Sequence, residues 1–170
     1  MKEIIYNYDC LNEEDINKEV LRSKALIINS NDEILLAFGN NNYQLPGGHV
    51  EKDESFTDCL VRELKEETGI EIPIEQKLPF LTIKYLCKDY PYQGINTKYI
   101  SNYYYFNIDQ KPDYSKINLT ENEKEGMFEL KYINKNEILK ILEESLKTCT
   151  KKGPVIDTIE VVREYLKIMD

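Results

Sequence analysis

The apolar positions of the chain fall into runs of different period, and their order predicts the elements. Residues 20–30 centre on the unbroken stretch Ala25, Leu26, Ile27 and Ile28, and residues 33–38 repeat it with Ile34, Leu35, Leu36 and Ala37. Asn31 and Asp32 lie between the two runs, so they read as a hairpin of strands. After a loop at 39–42, a short strand over 43–45 ends at Pro46, Gly47 and Gly48. The period then changes. Phe56, Leu60 and Leu64 recur every fourth residue and form one apolar stripe, which predicts a helix over 55–68. Ser55 followed by Asp58 is a capping-box arrangement at its start, and Gly69 closes it as the residue that turns left-handed at little cost. Residues 72–74 and 79–87 read as extended, 88–97 as a loop turning at Pro91 and Gly94, and the aromatic-rich 99–108 as a strand. A long polar loop over 111–126 leads to a last strand at 128–133. Asn134 with Glu137 is read as the cap of a helix whose apolar face is Ile138, Leu142, Leu146 and Cys149. Gly153 and Pro154 open a final helix with Val155, Ile159, Val162, Leu166 and Met169 on one side. Residues 1–18 form a polar lead-in, with Ile4, Ile5 and Tyr6 fitting a short strand. Strands, helix, strands, helices is the order of an α/β fold with a mixed sheet covered on both faces.

Composition narrows the picture without changing it. The chain has 170 residues, 41% of them hydrophobic, which suits a single folded domain over 1–170 with its core from about residue 19. Neither an internal repeat nor a linker is visible. The net charge of −9 and pI near 4.8 repel nucleic-acid phosphates and anionic lipid, so non-specific binding to nucleic acid or membrane is not expected. The four cysteines, Cys10, Cys59, Cys87 and Cys149, show no paired spacing and read as reduced thiols. With no signal peptide and no long apolar run, the expectation is a soluble, cytoplasmic protein. Nothing in the sequence requires a partner chain, and a homodimer stays open.

The candidate chemistry lies on the helix over 55–68. Glu63 and Glu67 are four apart and Glu66 is three from Glu63, so all three share a flank beside the apolar stripe. Like charges so placed repel, more strongly beside a packed surface, and a divalent cation removes the repulsion. Hard carboxylate oxygens suit Mg²⁺ or Mn²⁺. The competing reading is a solvated acidic face.

Residues 48–70 spell GHVEKDESFTDCLVRELKEETGI, or G-x5-E-x7-R-E-U-x-E-E-x-G-U with U aliphatic. Gly48, Glu54, Arg62, Glu63, Glu66, Glu67 and Gly69 hold its fixed positions and Leu64 and Ile70 its aliphatic ones. This segment resembles the signature of the Nudix hydrolases, with no departure; the rest of the chain is compatible but not specific. The resemblance implies an α/β/α sandwich with a mixed central sheet, and a divalent-cation-dependent hydrolysis of a nucleoside diphosphate linked to another moiety. It casts Glu63, Glu66 and Glu67 as metal-binding carboxylates, the Gly47 carbonyl as a further ligand, and Glu54 with Arg62 as an orienting pair. A tight turn after Pro46 is the equal alternative for Gly47 and Gly48. A carboxylate from the late loop is also implied, as ligand or base; Glu121, Glu123 and Glu125 are the candidates and Glu125 is preferred for its place just before the last strand. Whether Glu63, Glu67 or Glu125 takes the proton stays open. The single histidine, His49, reads as a bystander, and Tyr103, Tyr104 and Tyr105 read as core before base-stacking surface. The substrate is expected to be a small nucleotide: a nucleoside triphosphate, a sugar nucleotide or a dinucleotide. A non-catalytic nucleotide sensor, or an isoprenoid diphosphate isomerase on the same fold, are the competing functions.

Overall fold

The computed structural model describes residues 2–72 and 78–169. Its strands are β1 (Lys2–Tyr6), β2 (Lys18–Ile28), β3 (Glu33–Gly39), β4 (Asn42–Gln44), β5 (Gly47–His49), β6 (Leu81–Cys87), β7 (Thr97–Asn107) and β8 (Glu129–Asn134). Its helices are α1 (Phe56–Thr68), α2 (Glu121–Glu125), α3 (Ile138–Ser145) and α4 (Lys152–Met169). The strands form one mixed sheet ordered β1-β6-β7-β2-β3-β4, with β5 beside β2 and β8 beside β3. β1 runs parallel to β6 and β2 parallel to β7; the other pairings are antiparallel.

The unbroken apolar run of β2 follows from its central place, because both its faces are covered. Leu26 and Ile28 point to one side, into a core with Leu36, Ile83, Tyr103, Val155, Ile159 and Val162 under α3 and α4. Ala25 and Ile27 point to the other, against Leu60 and Leu64 of α1. The α/β/α sandwich expected from the motif is therefore the fold. Tyr103 and Tyr104 lie on opposite faces, 1% and 2% exposed, and are core residues.

One departure from the simple hairpin opens the site. β2 and β3 share the register pair Ile28↔Ile34 and then separate, β3 taking β8 and β4 as neighbours. The vacated edge of β2 is filled by β5, with Arg22 opposite His49, Ser23 opposite Gly48 and Lys24 opposite Gly47. The two glycines thus form a short strand, not merely a turn after Pro46.

Other expectations shift. The polar loop over 111–126 contains α2, opened by a reciprocal cap in which Thr120 N and Oγ1 donate to Glu123 Oε2 at 2.6 and 2.8 Å and Glu123 N donates to Thr120 Oγ1 at 3.4 Å. Asn134 ends β8 and its Oδ1 caps a turn by accepting from Asn136 N, so the N-cap of α3 is Glu137, which makes no side-chain capping bond. Leu146 and Cys149 pack on the core although the helix has ended before them. Met169 is exposed beside exposed Ile168, so it does not join the buried stripe of Val155, Ile159 and Val162. Of the extended segment expected at 72–74, residues 73 and 74 lie outside the described residues; Ile72 is buried without joining a strand. No helix among the described residues is long and apolar enough to cross a membrane.

Candidate active site

α1 begins as its sequence dictates. Ser55 Oγ accepts from Asp58 N at 3.1 Å, and Gly69 ends the helix at φ 68°, its N–H bonded to Lys65 O. The apolar stripe seats the helix on the sheet and sets its acidic flank against β5. Glu67 is the most enclosed of the three acids, 4% exposed, and its Oε2 accepts from Gly47 N at 2.7 Å. Glu63 lies so close to Gly48 that a Cβ there would occupy the position of its carboxylate. Glu66 faces outward, and its backbone carbonyl accepts from Asn118 N at 2.8 Å, tying the loop before α2 to α1.

Arg62 organises this flank. Its Nε and Nη2 donate to the two oxygens of Glu54 at 2.8 and 3.0 Å, a bidentate pair. Nη1 donates to Glu63 Oε1 at 2.8 Å and Glu66 Oε2 at 3.3 Å, and Nη2 also reaches the His49 carbonyl at 3.1 Å. The hydrogen bond from Arg62 holds Glu54 below the usual carboxylate range.

Lys24, unremarked in the sequence, is the second internal cation. Its Nζ donates to the carbonyls of Leu45 and Gly47 at 3.0 and 3.2 Å and to Gln44 Oε1 at 3.4 Å. Burial lowers its pKa, with the charge of Glu67 opposing. Burial in turn pushes Glu67 up to about 8, against the pull of Lys24 and the Gly47 N–H. Glu63 is also raised by burial; Arg62 counters this, while Glu66 and Glu123 add to it. Lys24 directly precedes the apolar run Ala25–Ile28 of β2, and that adjacency was the signal available in the sequence.

Glu123 is the loop carboxylate whose charge reaches both Glu63 and Glu67. Glu125, preferred from the sequence, is exposed near the end of α2, and Glu121 is exposed and paired with Lys124. The Thr120-x-x-Glu123 capping pattern is the sequence feature that turns this part of the loop into a helix. His49 does not join the acids; its Nε2 accepts from Arg22 Nε at 3.2 Å.

The donor atoms are all oxygens, several of them anionic and mutually repelling, which suits a hard divalent cation. Among the described residues no three acidic, histidine or cysteine side chains stand close enough together to hold one ion. Instead the carboxylates face Arg62 and Lys24. Two cavities, of about 420 and 770 Å³, lie around Asn29 at the other end of β2, not beside the acids.

The NUDIX domain profile matches residues 20–152. Over 94% of this chain and 96% of the other, the fold is similar to the solution structure of the E. coli ORF135 protein, with a TM-score of 0.54 and 18% identity. A MutT NUDIX hydrolase from Burkholderia pseudomallei gives 0.52 at 17% identity, over 71% of this chain and 86% of that one. The low-salt glycan biosynthesis protein Agl8 of Haloferax volcanii is 33% identical over 84 residues, 46% of this chain; the match spans about half of that protein, 53% of its length. The family's domain thus takes in the glycine pair, the acidic helix and most of the sheet that carries them: the chain belongs to the NUDIX domain family.

Proposed function

We propose that this protein is a divalent-cation-dependent pyrophosphohydrolase that cleaves a nucleoside diphosphate linked to another moiety. The observation that carries the reading is the enclosure of Glu63 and Glu67 against the glycine strand, where burial disfavours their charge unless a cation meets it. Glu63, Glu66, Glu67 and the Gly47 carbonyl would hold Mg²⁺ or Mn²⁺, once Arg62 Nη1 and Lys24 Nζ give up bonds they now make to these groups. A bound divalent ion supplies charge neutralisation at the phosphate oxygens and lowers the cost of deprotonating water. The chain's own part is to place the anions, to exclude water around Glu67 and to accept the proton of the attacking water on a carboxylate. Glu63, Glu67 and Glu123 are the acids positioned for that last step.

The partial likeness to a protein named for glycan biosynthesis makes sugar-linked nucleotides the first substrates to assay, ahead of nucleoside triphosphates and dinucleotides. The test is a screen of these with Mg²⁺ or Mn²⁺, scored by release of nucleoside monophosphate. Glu66→Gln is expected to reduce turnover roughly 100-fold with the fold intact, because Glu66 is the least buried of the three acids. Undiminished turnover in that variant overturns the assignment. Nucleotide binding without turnover in the wild type would mark a sensor instead.

Arg62→Lys is expected to cost roughly 10- to 100-fold in kcat/KM. A lysine offers a point charge where the guanidinium now serves Glu54, Glu63, Glu66 and the His49 carbonyl together. Steady-state kinetics at saturating Mn²⁺ check this, and a kcat/KM within twofold of wild type would show that Arg62 does not orient the site.

A further inference from the structure

Arg22 is a cation that the protein leaves partly unused. Its Nε donates to His49 Nε2 at 3.2 Å, and its guanidinium carbon lies 5.4 Å from the centre of the Tyr99 ring. The imidazole thus holds one edge of the guanidinium and the ring one face. Among the described residues Nη1 and Nη2 donate to no protein acceptor, and Arg22 makes no ion pair, although the chain carries 31 acidic residues against 22 basic ones. Two coplanar pairs of N–H groups in that state form a ready fork for an oxyanion.

The fork stands beside the candidate site. Arg22 is opposite His49 in the β2–β5 register, two residues along from the Lys24–Gly47 pair, and Arg22 and Lys24 point to the same face of β2. The carbonyl of the same His49 accepts from Arg62 Nη2. One residue of β5 therefore connects the free guanidinium with the guanidinium that holds the acids of α1. Lys24 Nζ, by contrast, is already occupied by three oxygens of residues 44–47.

We propose that Arg22 grips the departing phosphate of the substrate's diphosphate with Nη1 and Nη2; this rests on the pyrophosphohydrolase reading above. In that reaction the water oxygen bonds to one phosphorus and the bond from that phosphorus to the bridging oxygen breaks. The electron pair leaves with the bridging oxygen on the departing phosphate, and the water's proton passes to a carboxylate of the site. Negative charge therefore grows on the departing group. A planar fork held by His49 and Tyr99 meets it there without reorganising. In a protein of net charge −9 such a local cation also offsets the general repulsion of an anionic substrate.

The experiment uses the full chain with Mn²⁺ and a non-hydrolysable probe, α,β-methylene ADP, with binding measured by calorimetry for wild type, Arg22→Gln, Arg22→Lys and Tyr99→Leu. Arg22→Gln is expected to weaken probe binding roughly 10- to 100-fold, with Arg22→Lys intermediate because it keeps charge without the fork. Mn²⁺ affinity in the absence of probe is expected to be unchanged in all variants. Tyr99→Leu leaves the charge and removes the ring beneath it, so weaker probe binding is expected there too; it decides the matter if Arg22→Gln does not fold. Probe binding by Arg22→Gln equal to wild type overturns this proposal and leaves the hydrolase reading standing. A wild-type protein that binds Mn²⁺ but not the probe also overturns this proposal, and the hydrolase reading falls with it only when the substrate screen yields no turnover.

Discussion

Glu67→Gln is expected to lower kcat by roughly 1,000-fold while changing stability by less than about 1 kcal/mol. Both halves follow from its surroundings. The side chain is enclosed, and Oε2 accepts from Gly47 N, a bond that the amide oxygen of glutamine can also make. Burial already holds the Glu67 pKa at about 8, so near neutral pH the metal-free protein carries a large share of the uncharged acid, which glutamine resembles in shape and charge. Lys24 keeps its bonds to Leu45, Gly47 and Gln44. What the substitution removes is the carboxylate needed when a cation arrives. Steady-state kinetics with Mn²⁺ and urea denaturation of both proteins check the two halves, and kcat within tenfold of wild type would remove Glu67 from the site.

The same environment sets a pH dependence. A protonated carboxyl cannot ligate a cation, so an acid with a raised pKa must release its proton on binding. Mn²⁺ affinity of the wild type is expected to rise with pH from the ordinary carboxylate range to about 8, by at most roughly tenfold per unit for one proton, and to level off above it. Glu63, also raised, contributes in the same direction. In Glu67→Gln the rise is expected to be smaller. Calorimetry in buffers of different ionisation enthalpy counts the protons released, and an affinity that is flat between pH 6 and 8 would show that these acids are already ionised.

Gly47→Ala is the substitution expected to damage the fold itself, by about 3 kcal/mol or more. Gly47 sits at φ 125°, a region that residues with a side chain rarely adopt. An added Cβ would run into the Ser23 carbonyl oxygen and lie 2.8 Å from Lys24 Cα, both backbone atoms of β2. Neither can move without parting β5 from β2, which also breaks the bonds of Gly47 to Glu67 and Lys24. Gly153→Ala provides the control: it lies in the first turn of α4, and nothing stands within 4 Å of its added Cβ. That change is expected to be neutral or to stabilise by up to about 1 kcal/mol. Urea denaturation midpoints of the two variants test the contrast, and a Gly47→Ala protein as stable as wild type would mean that the glycine strand is not held as described.

Gly48 differs instructively. Its added Cβ would meet the end of the Glu63 side chain, which can swing away, so the loss there falls on the site more than on the fold. The sequence placed both glycines in one motif, but not these separate tasks. Glu54 and Arg62 were legible as a pair and the structure brings them together in two hydrogen bonds. Lys24 was not, because it reaches the Gly47 carbonyl from a strand distant along the chain.

The sequence by itself determined the local chemistry of this protein: the α1 helix with its cap, its terminal glycine and its acidic flank, and the apolar runs that become buried strands. These are read from neighbours three, four or two residues apart, distances that helix and strand geometry convert directly into shared faces. The tertiary structure alone decided that the Gly47 N–H meets Glu67, that Lys24 meets the Gly47 carbonyl, and that β2 leaves β3 to take the glycine strand. Such contacts join residues 20 or more positions apart, and only the packing of α1 and β5 against the sheet brings them within hydrogen-bonding distance.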